Sequence, residues 1–142
     1  MKAHLSRRYH FVASHRLHTE AYDAAKNQTV YGKCNNPHGH GHNYTVQVTL
    51  SGQVDPATGM VCNLADLDAF AQRNLLDRFD HQNLNTLDCF QNSVSSTENL
   101  TMEIYRIFLA FRAAHLEHIS IEETSNNSFD YSGDTNPAPR TN

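Results

Sequence analysis

Apolar and polar residues alternate between Leu5 and His15: Leu5, Tyr9, Phe11, Ala13 and His15 fall on one face, and Ser6, Arg8, His10 and Ser14 on the other. A period of two predicts a half-buried strand. The same period runs from His42 to Ser51, where His42, Tyr44, Val46, Val48 and Leu50 alternate with Asn43, Thr45, Gln47, Thr49 and Ser51, and it predicts the clearest strand of the chain. About 26 residues without strong periodicity separate the two. Idle loops seldom exceed ~12–15 residues, so this segment is expected to be functional. Asp55-Pro56-Ala57-Thr58-Gly59 signals a turn, Met60 to Cys62 a short strand, and Asn63 a helix cap before the stripe Leu64, Leu67, Ala71 and Leu75. Ser95 and Glu98 have capping-box spacing ahead of Leu100, Ile104, Ile107, Phe108 and Phe111, which predicts a second helix ending near His115. Ile119, Ile121 and Glu123 share a face of a later strand, and Ser125-Asn126-Asn127-Ser128 turns the chain into a last strand through Phe129 and Tyr131. The pattern predicts an α+β fold: an antiparallel sheet with helices packed on one side, in one domain over residues 1–132, followed by a disordered tail over 133–142.

Composition narrows the function classes. A length of 142 residues suits one hydrophobic core. The formal charge of −4, without a basic stripe, argues against nucleic acid as a partner. No apolar run approaches the ~20 residues of a membrane helix, and Met1 to Leu17 has no secretory apolar stretch, so a cytoplasmic location is expected. Cys34, Cys62 and Cys89 are odd in number and widely spaced, as reduced thiols are. The 10 histidines nearly equal the 11 lysines and arginines combined, which makes metal binding the first chemistry to test.

Alternation places His40 and His42 on the face of Tyr44 and Val46, about 7 Å apart at the usual rise of a strand. His15 ends the apolar face of the first strand, so antiparallel pairing makes the histidine-bearing ends neighbours. Three neutral nitrogens leave a dication uncompensated and a coordination place open, as a Lewis acid requires. The glycines of His38-Gly39-His40-Gly41-His42 let the backbone bend closely around a ligand. His38 reads as a spare ligand or a surface residue. Cys34 offers three readings: a fourth ligand closing a structural site, a thiol near the cation that serves as a general base, or an ordinary buried cysteine. Cys62 and Cys89 read as structural.

Asp80-His81 follows the first helix in a segment too polar for the core and can relay a proton or simply cap a solvated terminus. Glu123 turns a carboxylate towards the apolar face beside Ile119 and Ile121, where it needs a partner. An arginine from elsewhere in the fold would serve, as would a ligand presenting two adjacent N–H groups, such as the amidine edge of a pterin or guanine.

The run Cys34-Asn35-Asn36-Pro37-His38-Gly39-His40-Gly41-His42-Asn43-Tyr44 resembles the signature of the 6-pyruvoyltetrahydropterin synthase family. Phe11 to His15, Val54 to Val61, Asp80 to Leu84, Ser96 to Asn99 and Glu123-Thr124 extend the resemblance to about Tyr131. It implies a T-fold in which four-stranded antiparallel sheets with two helices on one face join between subunits into a barrel, commonly a homohexamer of two trimers with active sites between subunits. It further implies a pterin triphosphate substrate, 7,8-dihydroneopterin triphosphate, which loses triphosphate without a redox cofactor. By the resemblance His15, His40 and His42 hold Zn2+, Cys34 is the base, Asp80 and His81 return the proton, Glu123 anchors the pterin ring, and Thr97 and Glu98 line its pocket.

A related branch makes 6-carboxytetrahydropterin for queuosine-type deazapurines and usually has three residues between the cysteine and the His-Gly-His pair. Five stand here, which favours the pyruvoyl branch. His38 departs from the family's common asparagine. A zinc-stabilised module without catalysis and a pterin binder without turnover are the competing classes. Arg7, Arg8, Arg16, Lys26 and Lys33 are candidates for the anionic tail.

Overall fold

Two 14-residue strands form the centre of the molecule. In the computed structural model, which describes residues 1–134, β1 (Lys2–His15) and β2 (His40–Gln53) pair antiparallel along their whole length, from Lys2 opposite Gln53 to His15 opposite His40. Of the expected disordered tail, 135–142 lies outside the described residues. Between the two strands the chain forms α1 (Ala24–Tyr31) and a 3-10 turn (Gly32–Asn35), where alternation predicted only an irregular loop. The helix has no apolar stripe for a periodicity argument to find. Asp23 caps it by accepting from the Lys26 amide, and its one buried residue is Asn27.

Past β2 the turn at Asp55–Gly59 forms, but Met60 to Cys62 makes no strand. The stripe from Leu64 builds α2 (Leu64–Ala71), a π-helical turn (Gln72–Leu76) and α3 (Asp77–Phe79), with Asn63 capping the start. A two-residue strand, β3 (Gln82–Asn83), then pairs parallel with β1. Helix α4 (Thr97–Phe108) starts one residue later than the capping-box spacing suggested. Ser96 is its cap and accepts from the Asn99 amide, whereas the Ser95 hydroxyl donates to the Arg16 carbonyl. Its expected end near His115 is also corrected, because the chain leaves the helix after Phe108 and turns through Leu109 and Ala110. Strands β4 (His115–Thr124) and β5 (Asn127–Tyr131) complete the sheet in the order β3-β1-β2-β4-β5. The sheet therefore has five strands rather than the expected four, the fifth being the short parallel edge, and no helix among the described residues is long and apolar enough to cross a membrane.

The core lies between one sheet face and the helices. Phe11, Tyr44, Val46, Leu50, Ile119 and Ile121 pack from the sheet against Leu67, Leu75, Leu100, Ile104 and Phe108 from the helices. Each such side chain contributes about 1.5–3 kcal/mol on burial. The opposite face carries Lys2, His4, Arg8 and His10, all exposed. This one-sided burial sets the register, and the register carries His15, His40 and His42 to one end of the buried face.

Candidate metal centre and its surroundings

Pairing places His15 directly opposite His40, and His42 opposite Ala13, whose small side chain leaves room for an imidazole. Among the described residues, the metal-ligating side chains whose donor atoms all lie within 4.8 Å of one another are His15, His40 and His42. The ring centroids are 4.6 to 5.1 Å apart and the rings lie edge to face. The His15 Nε2 and His40 Nε2 atoms approach to 3.0 Å.

Hydrogen bonding sets the protonation pattern. His15, only 2% exposed, donates from Nδ1 to the Ser95 carbonyl at 2.7 Å, which leaves Nε2 with a free lone pair turned to His40. Metal-ligating histidines are commonly held by such a bond on the other ring nitrogen. The Nε2 of His42 is buried without any hydrogen-bond partner, and the nearest carboxylate oxygen, Glu123 Oε1, stands 3.8 Å away. Burial pushes the His15 and His40 imidazoles below their ordinary pKa, with His42 acting in the same direction on both. Nitrogens bonded to one ion at about 2 Å stand a little over 3 Å apart in tetrahedral geometry. Neutral, converging and partly unpartnered nitrogens fit a metal ion.

The backbone bends only where it must. Gly39 has φ +71°, and a Cβ there would stand 3.0 Å from the His15 carbonyl oxygen. Gly41 lies within β2, where a Cβ would meet nothing closer than 3.6 Å. Of the two glycines expected to bend around a ligand, Gly39 alone is required by the geometry. The His38 side chain is exposed beside it and stands outside the triad.

Cys34 is not one of the clustered donors, so the closed four-ligand site is not formed. Its turn is nevertheless stitched to the residues following His15. Leu17 donates to the Cys34 carbonyl at 2.8 Å, the Asn35 amide donates to the Leu17 carbonyl and to His18 Nδ1, and the Arg16 Nε donates to the Asn35 carbonyl. Sequence reasoning missed Asn35. Its signal was a polar residue next to the cysteine, indistinguishable from a turn residue until its burial is seen.

Asp80 accepts from the Val12 amide and from His81 Nδ1, each at 3.0 Å, and the Val12 hydrogen bond holds its carboxyl below the usual range. His81 adopts φ +59°, uncommon for a residue other than glycine, and its amide donates to the Val12 carbonyl. Such a backbone persists where surrounding contacts impose it and often marks a functional position. His81 and His42 line a cavity of about 410 Å³. His15, Arg16, His18 and His38 line another, of about 600 Å³. Cys34 lines neither.

Glu123 accepts a short hydrogen bond from the Thr97 hydroxyl and is half-buried, while Glu98 is exposed in the first turn of α4. Neither the lysines nor the arginines pair with Glu123 in the described residues, so the internal arginine partner is absent from this carboxylate. Arg7 is committed to Asp68 through a two-pronged ion pair, and Lys26 lies over the Tyr22 ring. Arg8 and Lys33 are exposed. Cys62 and Cys89 pack against the core, and burial pushes both thiols up.

The sequence profile of the family described as 6-pyruvoyl tetrahydropterin synthase matches residues 4–134. The human 6-pyruvoyl tetrahydrobiopterin synthase is 42% identical over 135 residues, covering 94% of this chain and 93% of the relative. Its counterpart from Drosophila melanogaster is 43% identical over 134 residues, covering 92% and 80%. The structure of Caenorhabditis elegans 6-pyruvoyl tetrahydropterin synthase superposes with a TM-score of 0.90 at 39% identity, covering 94% of this chain and 97% of that one.

Proposed function

This chain belongs to the 6-pyruvoyl tetrahydropterin synthase family, and from that premise we propose a zinc-dependent lyase that converts 7,8-dihydroneopterin triphosphate to 6-pyruvoyltetrahydropterin with release of triphosphate. The observation that carries the reading is the convergence of His15, His40 and His42, with the His15 lone pair freed by the Ser95 hydrogen bond and the His42 Nε2 unpartnered. These three would hold the zinc, which when bound supplies a Lewis acid that polarises side-chain oxygens of the substrate and acidifies the adjacent protons.

The chain's own groups then divide the work. Glu123, relieved of bulk water and held by Thr97, accepts two N–H groups from the amidine edge of the pterin, the arrangement that suits a carboxylate best. Cys34 takes a proton from the substrate side chain as general base. Asp80 holds the His81 ring by its Nδ1, and His81 returns the proton. Hydrogens lost by the side chain reappear on the ring, and triphosphate leaves with its bonding electron pair, so no outside oxidant or reductant is required. The carboxy branch acts on the same substrate. The five residues between Cys34 and His40 and the 42–43% identity to proteins named 6-pyruvoyl tetrahydrobiopterin synthase favour the pyruvoyl product.

We place the reaction in the cytoplasm and in a homohexamer, a dimer of trimers. Cys34 lines neither the His81 cavity nor the His15 cavity of its own chain, which supports an active site completed by a neighbouring subunit. The test is triphosphate release from 7,8-dihydroneopterin triphosphate by protein stripped with a chelator and then reloaded. Activity lost on stripping and regained with one zinc per chain supports the assignment. Reloaded protein that leaves the substrate intact refutes it.

A further inference from the structure

Asn35 is only 5% exposed, although asparagine is mostly a surface residue. Burial obliges its amide to find partners. The amide nitrogen Nδ2 donates to the Leu17 carbonyl at 2.7 Å and to His18 Nδ1 at 3.1 Å. A backbone carbonyl only accepts, so the atom facing Leu17 is the nitrogen, and its second proton is the one that goes to His18. Both protons are used. In the neutral His18 ring the proton then sits on Nε2, which stands 3.3 Å from Glu20 Oε1.

Two further bonds join the same two segments: Leu17 donates its N–H to the Cys34 carbonyl at 2.8 Å, and Arg16 Nε donates to the Asn35 carbonyl at 3.0 Å. Leu17 is thus gripped on both sides, its N–H by Cys34 and its C=O by Asn35. The pairing of β1 with β2 ends at His15 opposite His40, so beyond that rung residues 34 and 35 stand in for a strand partner. Cys34 is therefore located relative to His15 through this clamp and the two residues between His15 and Leu17's own bonds. Without the Asn35 amide, the Cys34–Leu17 bond is a single pivot about which the turn can swing.

We propose that Asn35 is a positioning residue for Cys34, its side-chain amide fixing the cysteine's turn against the chain that leaves the metal-bearing end of β1. The proposal rests on the reading of Cys34 as general base. A base must come within about 2.6–3.2 Å of the proton it takes. Displacing such a group by about 1 Å can cost on the order of 10²-fold in rate. Asn35 itself lines neither of the cavities beside the histidines, so its effect on the reaction passes through its neighbour.

The test compares zinc-loaded, full-length Asn35→Ala, Asn35→Asp, His18→Ala, Cys34→Ala and the double variant Cys34→Ala/Asn35→Ala by kcat, KM and zinc content. Iodoacetamide labelling, read peptide by peptide, reports Cys34 separately from Cys62 and Cys89. Asn35→Asp keeps the shape but sets a carboxylate, which has no proton to donate, against the Leu17 carbonyl. Both Asn35 variants are expected to lose roughly 10- to 100-fold in kcat with KM within about twofold and zinc retained. Labelling should quicken at Cys34 and stay unchanged at Cys62 and Cys89, because the opening is local. His18→Ala keeps the Leu17 bond and should lose far less. The double variant should be no less active than Cys34→Ala alone, since both changes act on one function. Parental kcat in Asn35→Asp overturns the proposal, as do losses that multiply in the double variant or a His18→Ala protein as impaired as Asn35→Ala. Zinc loss, or faster labelling at Cys62 and Cys89, makes Asn35 a residue of the fold at large and also overturns it. Parental kcat in Cys34→Ala sinks the base reading and the proposal with it, whereas an inactive Cys34→Ala beside a fully active Asn35→Ala refutes the positioning role alone.

Discussion

His15 and Ser95, separated by 80 positions in the chain, are joined by a hydrogen bond of 2.7 Å from the ring Nδ1 to the backbone carbonyl. The bond ties the loop before α4 to the end of β1 and decides which ring nitrogen is left to a metal. His15→Ala, His40→Ala and His42→Ala should each purify with far less than one zinc, since losing one of three ligands costs more than the 10- to 100-fold typical of outer hydrogen bonds. Cys34→Ala should keep its zinc and melting temperature and lose roughly 10²- to 10⁴-fold in kcat, the range of a general base. Metal analysis of the four variants checks both statements, and zinc lost from Cys34→Ala would restore the closed structural site.

The two glycines of the histidine segment should differ in tolerance. Gly39→Ala places a Cβ against the His15 carbonyl at a positive φ, so the clash falls on a residue adjoining two of the three histidines. Gly41→Ala meets ordinary contact distances. Zinc affinity should fall at least tenfold in the first and less than threefold in the second, as measured by competition with a chromophoric chelator. Equal losses would mean that strand geometry, not the close approach at Gly39, governs the site.

Acid should weaken the metal-free protein. Burial lowers the His15 and His40 pKa values from 6.5 in the folded state, so below that value the unfolded chain binds more protons. This part of the stability is complete above about pH 6.5 and drains away as pH falls towards the depressed folded values. Melting temperatures in chelator between pH 8 and 5 should decline below pH 6.5, with a shallower decline in His15→Gln. A flat profile for the parent protein contradicts the burial of a neutral imidazole.

The proposed sharing of active sites between subunits makes a complementation prediction. If Cys34 of one subunit works with Asp80 and His81 of another, Cys34→Ala and His81→Ala proteins, each inactive, should regain part of their activity when unfolded together and co-assembled. Up to about a quarter of parental turnover is expected when mixed assembly is random. Activity no higher than that of the separate variants would mean that one chain supplies both groups.

Sequence periodicity reveals the parts of this fold that bury one face and says little about those that do not. β1, β2 and the stripe of α4 are legible because the core demands apolar residues at their period. Helix α1 buries only Asn27, so no period announces it, and β3 is two residues long. The histidine triad is legible because its members continue the core faces of two paired strands. Ser95 and Asn35 are not, since their contributions depend on where a loop carbonyl or side-chain amide lands after folding. Ser95 and Ser96 compete for the same capping role in the sequence, and only the backbone decides that Ser96 caps the helix while Ser95 turns its carbonyl to His15.

The most direct measurement is mass spectrometry of the pterin formed when zinc-loaded protein meets 7,8-dihydroneopterin triphosphate. The expected product is a tetrahydropterin with an intact three-carbon dioxo side chain, formed together with one triphosphate per turnover and absent with His42→Ala. Recovery of unchanged substrate would contradict the catalytic reading, and a one-carbon carboxylate side chain would contradict the pyruvoyl product.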